Sequence, residues 1–380
     1  MNLFYPVGIV TFLIGGMLQL FGILSNTQCT VLLMGLTAIQ FLLTKAKHVL
    51  YTPYFLLVLL IVVVSVVRGS SSMDVLSYII LFVGTPFFTY FLIMNNFKRQ
   101  TIENIYNLLV FIGVIQLPLI LFQRLFATAI LSVSAKTMIA LDIGCGSFFL
   151  ANDHGLCFYM LSLITFLLFD ERNRNRKYKV FLLIWFSVTV VMTSSDVSTG
   201  LLCLIWLVYV LVKQIKWSVL YAIMIVVLYI GLATVFPTIQ DSLLTSFTKA
   251  DTYLLSADFN EINTTSAANR FDIIAYYLME NFKWIGNGPF DYWNPRTGFN
   301  HFINFSQYIW FYNDLGIIAV LLIPYLFYKI MRTAPCLSLD KYILFGMITV
   351  YSLFTNTLSD LAFMFTYSLF ILNPVKVIKK

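Results

Sequence analysis

One polar stretch of the sequence, residues 269–320, carries most of the side chains that are suited to chemistry. It reads NRFDIIAYYLMENFKWIGNGPFDYW and then NPRTGFNHFINFSQYIWFYNDLGIIAV. Arg270 and Arg296 offer planar, permanently charged groups that bind phosphates through paired hydrogen bonds. His301 offers a base whose ordinary pKa lies near neutrality. The stretch therefore predicts an anion-binding site with a proton acceptor, and the alternative is a set of ordinary polar surface residues.

Other polar residues stand where apolar segments end, and several are candidates for the same site. Arg68 and Arg124 follow apolar runs, so they either extend toward water from the ends of membrane spans or contribute to the anion site. Asp196 lies among serines and belongs either to a short polar hairpin or to a polar cavity. The remaining candidates for lining a substrate cavity are Asn300, Asp314 and His154.

Composition indicates the environment that must position these residues. Of the 380 residues, 60% are hydrophobic and only 11% are charged, whereas a soluble domain is about a quarter charged. The apolar runs are continuous, not alternating, which favours helices over a membrane barrel. The sequence therefore predicts an all-α polytopic membrane protein. The expected spans, about twelve in number, are 4–24, 30–44, 51–67, 75–94, 104–123, 149–169, 180–194, 197–212, 218–236, 305–328, 342–357 and 361–374.

Basic residues give this arrangement an orientation, because they favour cytoplasmic loops. With the N-terminus inside, the inner loops hold the ERNRNRKYK cluster (171–179), and both termini are cytoplasmic. The outer side keeps Arg68, Arg124, Lys136, Lys249, Arg270, Lys283 and Arg296. The net charge of +7 is thus explained by topology, and we expect no nucleic acid partner. The first apolar segment lacks a basic leader and a small-residue cleavage site, so we interpret it as a span.

Two outer segments are long, and long loops are commonly functional. One runs from Arg124 to about Phe148, and the other from Pro237 to about Phe305. The chain is thus expected to comprise spans 1–9 (1–236), a large outer loop (237–304) and spans 10–12 with a cytoplasmic tail (305–380). Within the large loop, apolar residues at helical spacing predict an amphipathic helix over 267–282 on the outer membrane surface or over a cavity.

Several kinds of chemistry are not indicated. The cysteines are scattered without metal-ligand spacing, and only a Cys29–Cys145 disulfide stays open as an alternative to apolar packing. There is no phosphate-binding glycine loop, no GxSxG, no HExxH and no paired-carboxylate motif. We therefore expect neither a metal nor a cofactor.

The order of features in the polar stretch resembles the O-antigen polymerase and ligase superfamily of bacterial membrane proteins. The shared pattern is an arginine, an apolar helix, G-x-G-x-F, then N-H, and then a helix that contains D-x-G. Weaker similarities are ANDHGLCFYMLSLITFLL in the sixth span and SSDVSTGLLCLIWLV at the start of the eighth. Two departures are the G-N-G-P-F glycine run and a Ser-Thr-Gly where the family has Ser-Arg-Gly.

This resemblance implies a GT-C-like, metal-independent, inverting glycosyltransferase whose active site faces the periplasm. It implies His301 as the base for the acceptor hydroxyl and Arg270 as a ligand of the substrate diphosphate, with Arg296, Arg124 and Arg68 in the same role. The implied partners are undecaprenyl-diphosphate-linked glycan donor and acceptor, the lipid bilayer of the bacterial inner membrane and a chain-length regulator.

Three functions remain in view at this point. The first is polymerisation of lipid-linked repeat units of O-antigen or a related surface polysaccharide. The second is a ligase that transfers finished glycan to lipid A core. The third, from another class, is a flippase of lipid-linked oligosaccharides, which is expected to carry charged residues near mid-membrane. The loop aromatics suit either sugar faces or a membrane-interface belt.

Overall fold

The structure, a computed structural model, describes residues 4–23, 26–43, 51–96, 99–133, 144–148, 153–170, 178–213, 282–291 and 306–372. Every regular element in these ranges is a helix, and they form 13 helices. The helices are α1 (4–20), α2 (Asn26–Leu43), α3 (Thr52–Arg68), α4 (72–96), α5 (Arg99–Leu125), α6 (Ala127–Val133), α7 (Asp153–Phe169), α8 (Lys179–Met192), α9 (Asp196–Lys213), α10 (Gln307–Leu315), α11 (Ile317–Arg332), α12 (Leu339–Phe354) and α13 (Leu361–Ile371).

The predicted all-helical class is confirmed for the described residues, and most predicted spans coincide with a helix. Among the described residues, two helices are long and apolar enough to cross a membrane, over Ser72–Met94 and Ile105–Leu125. The other apolar helices are shorter, so the number of membrane crossings stays a prediction. The expected ninth span (218–236) lies outside the described residues.

The tenth predicted span is wrong as a single helix. Residues 305–328 were expected to run continuously, but α10 ends at Leu315 and α11 begins at Ile317. Gly316 between them has φ +91°, a conformation that favours glycine. Its N–H closes α10 on the carbonyls of Phe311 and Tyr312, at 3.2 and 3.0 Å. A glycine inside an apolar run was the available signal for this break.

Two helices occupy the centre of the bundle, α7 and α13. They are apolar on all sides, as expected of helices that are packed all round. Gly155–Phe169 and Leu361–Ile371 are buried throughout, and Phe158 stacks on Phe363 with ring centroids 5.1 Å apart.

Tyrosines tie the neighbouring helices together. Their hydroxyls donate to main-chain carbonyls: Tyr159 to Leu109 at 2.6 Å, Tyr367 to Phe327 at 2.7 Å and Tyr106 to Leu369 at 2.8 Å. A phenol that is buried in apolar surroundings needs such an acceptor.

Large apolar side chains cover much of the outward surface of the bundle. Leu42 is 81% exposed, Val66 77% and Leu125 79%. The outward apolar residues of α2, α3, α5 and α9 include Val31, Leu32, Phe55, Leu59, Val62, Val63, Phe111, Phe122, Leu204, Leu207 and Leu211. An apolar surface of this extent is suited to a nonpolar environment.

One end of the bundle, which we call the polar end, gathers several helix termini through polar contacts. The C-termini of α5 and α8 meet where Arg124 contacts Met192, and the N-terminus of α7 contacts Ser195 just before α9. The start of α10 bonds to the end of α12 through Ser306 and Ser352. The C-terminal end of α3 contacts residues 282–291 through Arg68, and residues 282–291 in turn bond to α10. The candidate site residues that the structure describes all lie at this end.

Candidate functional site

The described part of the predicted outer loop, residues 282–291, is docked onto the break between α10 and α11. The N–H groups of Asn287 and Gly288 donate to the carbonyls of Asn313 and Asp314, each at 2.9 Å. The carbonyl of Lys283 accepts from Ile317 N at 3.1 Å. Helix ends leave such groups without intrahelical partners. The break therefore provides carbonyls and an N–H group at one place, and the loop satisfies both.

The glycines in this segment are required by close backbone approach. A Cβ on Gly286 would lie 2.1 Å from the carbonyl carbon of Asp314, and one on Gly288 would lie 2.5 Å from Ser70 Oγ. Gly316 faces the same contact from the other side, because a Cβ there would lie 2.3 Å from the carbonyl oxygen of Trp284. The glycine run thus marks a packed junction between two main chains.

Arg68, at the C-terminal end of α3, holds this docked segment. Its Nε donates to the carbonyl of Gly286 at 2.7 Å, and Nη2 donates to the carbonyl of Ile285 at 3.3 Å. The remaining terminal nitrogen of Arg68 makes no hydrogen bond to the residues that the structure describes. The predicted role of Arg68 toward a diphosphate stays a prediction, and its demonstrated partners are main-chain carbonyls.

Asp314 is buried and accepts hydrogen bonds from three donors. Its Oδ2 accepts from Phe290 N at 3.0 Å and from Trp310 Nε1 at 2.8 Å, and its Oδ1 accepts from Asn313 Nδ2 at 2.8 Å. Sequence reasoning proposed Asp314 as a cavity residue. The structure assigns its carboxylate to docking of the loop.

Lys283 was not predicted as a site residue, yet it stands at the centre of this junction. Its Nζ donates to Asn287 Oδ1 at 2.8 Å and to Asn313 Oδ1 at 3.3 Å. Partial burial lowers the pKa of Lys283, the carboxylates of Asp291 and Asp314 oppose that shift, and Arg68 adds to it. Its position three residues before the glycine run was the only sequence signal.

The loop aromatics divide between exposed and packed positions. Phe282 and Trp284 are exposed, at 55% and 71%, and their rings meet edge to face at 5.2 Å. Phe290 instead packs against the buried Tyr78 at 5.1 Å. The first two are available for sugars or for an interface, and the third is partly buried against the core.

Arg124, at the C-terminal end of α5, holds a turn in the same way that Arg68 holds the docked segment. Its Nε donates to the carbonyl of Met192 at 2.7 Å, and Nη2 donates to Ser194 Oγ at 2.7 Å. Ser194 has φ +60°, which is unusual for a residue other than glycine. Arg124 therefore bonds to the turn that precedes α9.

His154 lies on the first turn of α7 and is linked into the bundle. Its Nδ1 is 3.1 Å from Ser195 Oγ, which is 2.7 Å from Ser198 Oγ, which is 2.6 Å from the hydroxyl of Tyr351. The Asp153 carboxylate lies 3.8 Å from the same nitrogen. The His154 side chain is 23% exposed, whereas Tyr351 is fully buried.

Asp196 occupies the first turn of α9 and is exposed. A negative charge at this position stabilises a helix through its N-terminal dipole. The predicted polar hairpin is thus a turn at residues 193–195 that is followed directly by α9. Asp196 is exposed at the polar end.

A further buried segment, residues 144–148, was not anticipated as part of the interior. Gln123 forms a reciprocal pair with Gly146, in which Nε2 donates to the carbonyl at 2.7 Å and Oε1 accepts from the N–H at 2.8 Å. Gln116 Oε1 accepts from Ser147 N at 3.0 Å. Two glutamines on α5 thereby provide bonds that a neighbouring main chain provides in regular structure. Cys145 within this segment is buried and is not part of a disulfide, so the Cys29–Cys145 disulfide is not formed.

The remaining predicted site residues, His301, Arg270, Arg296 and Asn300, and the amphipathic helix over 267–282 apart from Phe282, lie outside the described residues. The structure does describe both ends of the segment that holds Arg296, Asn300 and His301. The carbonyl of Asp291 accepts from Asn313 Nδ2, and Ser306 caps α10. Seven residues of helix span about 10 Å, so Asp291 and Ser306, the described residues on either side of positions 292–305, both lie beside the short helix α10.

Within the described ranges, no group of three or more His, Cys, Asp or Glu residues is arranged to hold a metal ion. No protein-family model, curated protein or solved structure matches the chain.

Proposed function

We propose that this chain is a membrane glycosyltransferase that polymerises lipid-linked repeat units of a surface polysaccharide at the outer face of the bacterial inner membrane. The observation that carries the proposal is that Asp291 and Ser306, which flank residues 292–305 in the sequence, both contact α10, at the same end of the bundle as Arg68, Arg124 and His154. This arrangement supports a site in which His301 and several arginines act on one substrate.

The outward apolar surface supports the membrane part of the proposal. Side chains such as Leu42, Val66 and Leu125 are highly exposed, and in water so many exposed large apolar groups favour aggregation. In a bilayer they contact lipid tails. The irregular segment 144–148 is compatible with this environment, because its buried main-chain groups find partners inside the protein.

The proposed reaction is a displacement at the anomeric carbon of the donor sugar. A hydroxyl of the acceptor glycan attacks that carbon and transfers its proton to His301. The bond between the anomeric carbon and the diphosphate oxygen breaks, and undecaprenyl diphosphate leaves with the electron pair. Arg270 and Arg296, assisted by Arg68, stabilise the growing charge on the leaving group.

Two alternative functions use the same substrates. A ligase transfers finished glycan to lipid A core, and the described residues do not separate it from a polymerase. A flippase moves lipid-linked glycan across the membrane and needs polar groups along its path. The grouping of candidate residues at one end favours reaction at a surface over passage through the bundle.

The test is the glycan profile of a deletion strain. Single repeat units on lipid A core indicate a lost polymerase, unattached lipid-linked polymer indicates a lost ligase, and absence of outward repeat units indicates a lost flippase. Only the first result agrees with the proposal.

His301→Ala and Arg270→Ala, each introduced into the complemented strain, are expected to abolish chain elongation at normal protein levels. The base is lost in the first variant and a diphosphate contact in the second. His48→Ala, in a segment predicted to be cytoplasmic, and Arg332→Ala, at the opposite end of α11 from Gly316, change the same residue types and serve as matched controls. Polysaccharide of normal length from His301→Ala would exclude His301 as the base.

A further inference from the structure

The docked segment, residues 282–291, crosses the ends of α3 and α11, two helices that pack against each other. Arg68, the last residue of α3, donates to the carbonyl of Ile285. The carbonyl of Lys283 accepts from the N–H of Ile317, the first residue of α11. The outward side chains of the docked segment therefore lie beside the polar ends of both helices.

The docked segment presents apolar side chains outward and keeps its polar side chains inward. Its exposed residues are Phe282, Trp284 and Ile285. Lys283 is partly buried and its Nζ bonds to two asparagines, one of which is the partly buried Asn287. A loop that lies in water has the reverse arrangement, because charged and amide groups are best solvated at the surface. The orientation of these side chains therefore indicates nonpolar surroundings.

The outward faces of α3 and α11 continue this apolar surface along the bundle. Val66 and Val67 in the last turn of α3 are exposed, and so are Ile318 and Leu321 in the first two turns of α11. Residues 282–285 lie where these two faces end. The docked segment therefore extends an apolar surface that runs along two helices, and such a surface is suited to lipid tails.

The opposite ends of the two helices carry the side chains that are typical of a membrane interface. Tyr51 precedes α3 and Phe55 lies in its first turn, and both are exposed. Tyr328 is exposed near the C-terminal end of α11, where Lys329 Nζ lies 5.4 Å from the centre of the Tyr325 ring. Aromatic residues are enriched where a helix meets the lipid headgroups, and lysines extend toward water at the same depth. Each helix therefore has an interface belt at this end.

Neither helix has an aromatic residue of its own at the polar end. α3 ends with the residues SVVR, and α11 begins with IIAVLL. Their 17 and 16 residues give lengths of about 26 and 24 Å, which are less than the hydrocarbon core of about 30 Å. Phe282 and Trp284 lie beside these ends with their rings edge to face. The docked segment thus supplies the aromatic layer that the two helices lack.

We propose that Phe282, Trp284 and Ile285 insert into the lipid interface at the polar end and anchor the docked segment to the membrane. Tryptophan suits this depth, because its ring is apolar and its N–H reaches water or headgroups. A sugar on the same rings needs polar partners beside them, whereas the exposed residues that adjoin them, Ile285 and Ile318, are aliphatic. This inference rests on the membrane location in the proposed function, and it assigns the two rings to lipid.

The experiment places nitroxide spin labels on the protein in proteoliposomes, with the native cysteines replaced. Labels are attached at Trp284→Cys and, in a second variant, at Ile285→Cys. Leu321→Cys reports the outward face of α11, and Asp196→Cys, at an exposed position of the polar end, reports water. Power-saturation EPR measures the collision rates with oxygen, which concentrates in lipid, and with a nickel chelate, which stays in water.

The ratio of oxygen to nickel collisions at Trp284 and Ile285 is expected to be at least about threefold higher than at Asp196, because interfacial residues lie at shallow depth in the membrane. A ratio equal to that at Asp196 would place these residues in water and overturn the anchor. Low collision rates with both reagents would show that protein covers the patch, and this result would overturn the anchor too. A fall in both rates on addition of lipid-free repeat-unit oligosaccharide would assign the patch to glycan.

The Leu321 label separates this inference from the function on which it rests. If Leu321 is in lipid and Trp284 is in water, the anchor is wrong and the proposed function stands. If Leu321 gives the same ratio as Asp196, the membrane location fails, and the proposed function fails with it.

A second measurement keeps the native cysteines and uses thermal unfolding in lipid nanodiscs. Trp284→Glu places a charge in the interface, which is unfavourable, and it is expected to lower the melting temperature by at least about 3 °C. Trp284→Phe keeps an aromatic ring and is expected to match the parent. Ser132→Glu, which adds the same charge at an exposed position of the polar end, is the matched control. Equal melting temperatures for the two glutamate variants would contradict insertion.

Discussion

Arg68 and Arg124 illustrate how an arginine at the end of a helix can act at the scale of single side chains. Each guanidinium donates through two nitrogens, Arg68 to two carbonyls and Arg124 to a carbonyl and a hydroxyl. The planar group holds two acceptors in fixed geometry, which an ammonium cannot do. Both side chains therefore position loops, whatever further contact each makes with a substrate.

Arg68→Lys keeps the charge but loses the paired geometry, so the 282–291 segment is expected to dock less firmly. A small misplacement of substrate-contacting groups costs about a hundredfold in rate, and we expect polysaccharide chain elongation to fall at least about tenfold. Arg332→Lys, at an exposed position of α11, is the matched control. Unchanged elongation in Arg68→Lys would show that charge alone is needed there.

At the scale of elements, the broken helix α10–α11 and the buried 144–148 segment both place irregular main chain inside a helical bundle. In each case side chains and helix ends complete the hydrogen bonds of the irregular chain. Asp314 and Arg68 serve the first segment, and Gln116 and Gln123 serve the second. Both elements therefore supply hydrogen-bond partners to backbone groups that have none within regular secondary structure, because such groups must be satisfied when they are buried.

Gly286→Ala would place a methyl group within 2.1 Å of the Asp314 main chain. We expect it to destabilise the protein by about 1–3 kcal/mol through forced displacement of the loop and to reduce chain elongation. Thermal unfolding in detergent measures the first effect. Gly346→Ala, at an open helical position with nothing within 4 Å, is the control and is expected to be neutral or stabilising. Equal melting temperatures for the two variants would contradict the tight junction.

Gln123→Leu preserves size but leaves both the N–H and the carbonyl of Gly146 without partners. Each orphaned buried group costs about 1–3 kcal/mol, so we expect a clear fall in the melting temperature. Phe122→Leu, an exposed change on the neighbouring position of α5, provides the comparison. A melting temperature equal to that of the control would mean that the 144–148 segment is not held by Gln123.

Sequence reasoning located the helices well and the junctions poorly. Apolar runs mark α3, α4 and α5 because burial or lipid contact needs continuous apolar residues. The break at Gly316 and the insertion of residues 144–148 depend on long-range partners such as Trp284 and Gln123, which no local pattern reveals. For the same reason Arg68 was assigned to an anion, since its main-chain acceptors lie more than two hundred positions away.

At the scale of the whole molecule, the termini of many helices converge on one polar end, and the outward apolar residues lie along the helices. This distribution agrees with a bundle whose axis crosses a membrane, although the number of crossings and the orientation are proposals. The basic loops predicted for the opposite side supply the orientation.

Single cysteines introduced into a chain that lacks its native cysteines test this orientation. Cysteines at Ser71 and Ser132 are expected to react with a membrane-impermeant maleimide added to intact cells that have a permeabilised outer membrane. A cysteine at Asn173, in the basic cluster, is expected to react only after the inner membrane is opened. The reverse pattern would invert the topology and place the polar end in the cytoplasm.

The docking of residues 282–291 also bears on how such a sequence evolves. Three of its hydrogen bonds to α10 and α11 join main chain to main chain, and those bonds are indifferent to the identity of the side chains that surround them. Substitutions can therefore accumulate at the other positions of this region while its geometry is inherited, provided that the three glycines and the docking side chains of Asn313 and Asp314 persist. A lineage under pressure to change its surface glycan can drift far in sequence around a junction of this kind without rebuilding it.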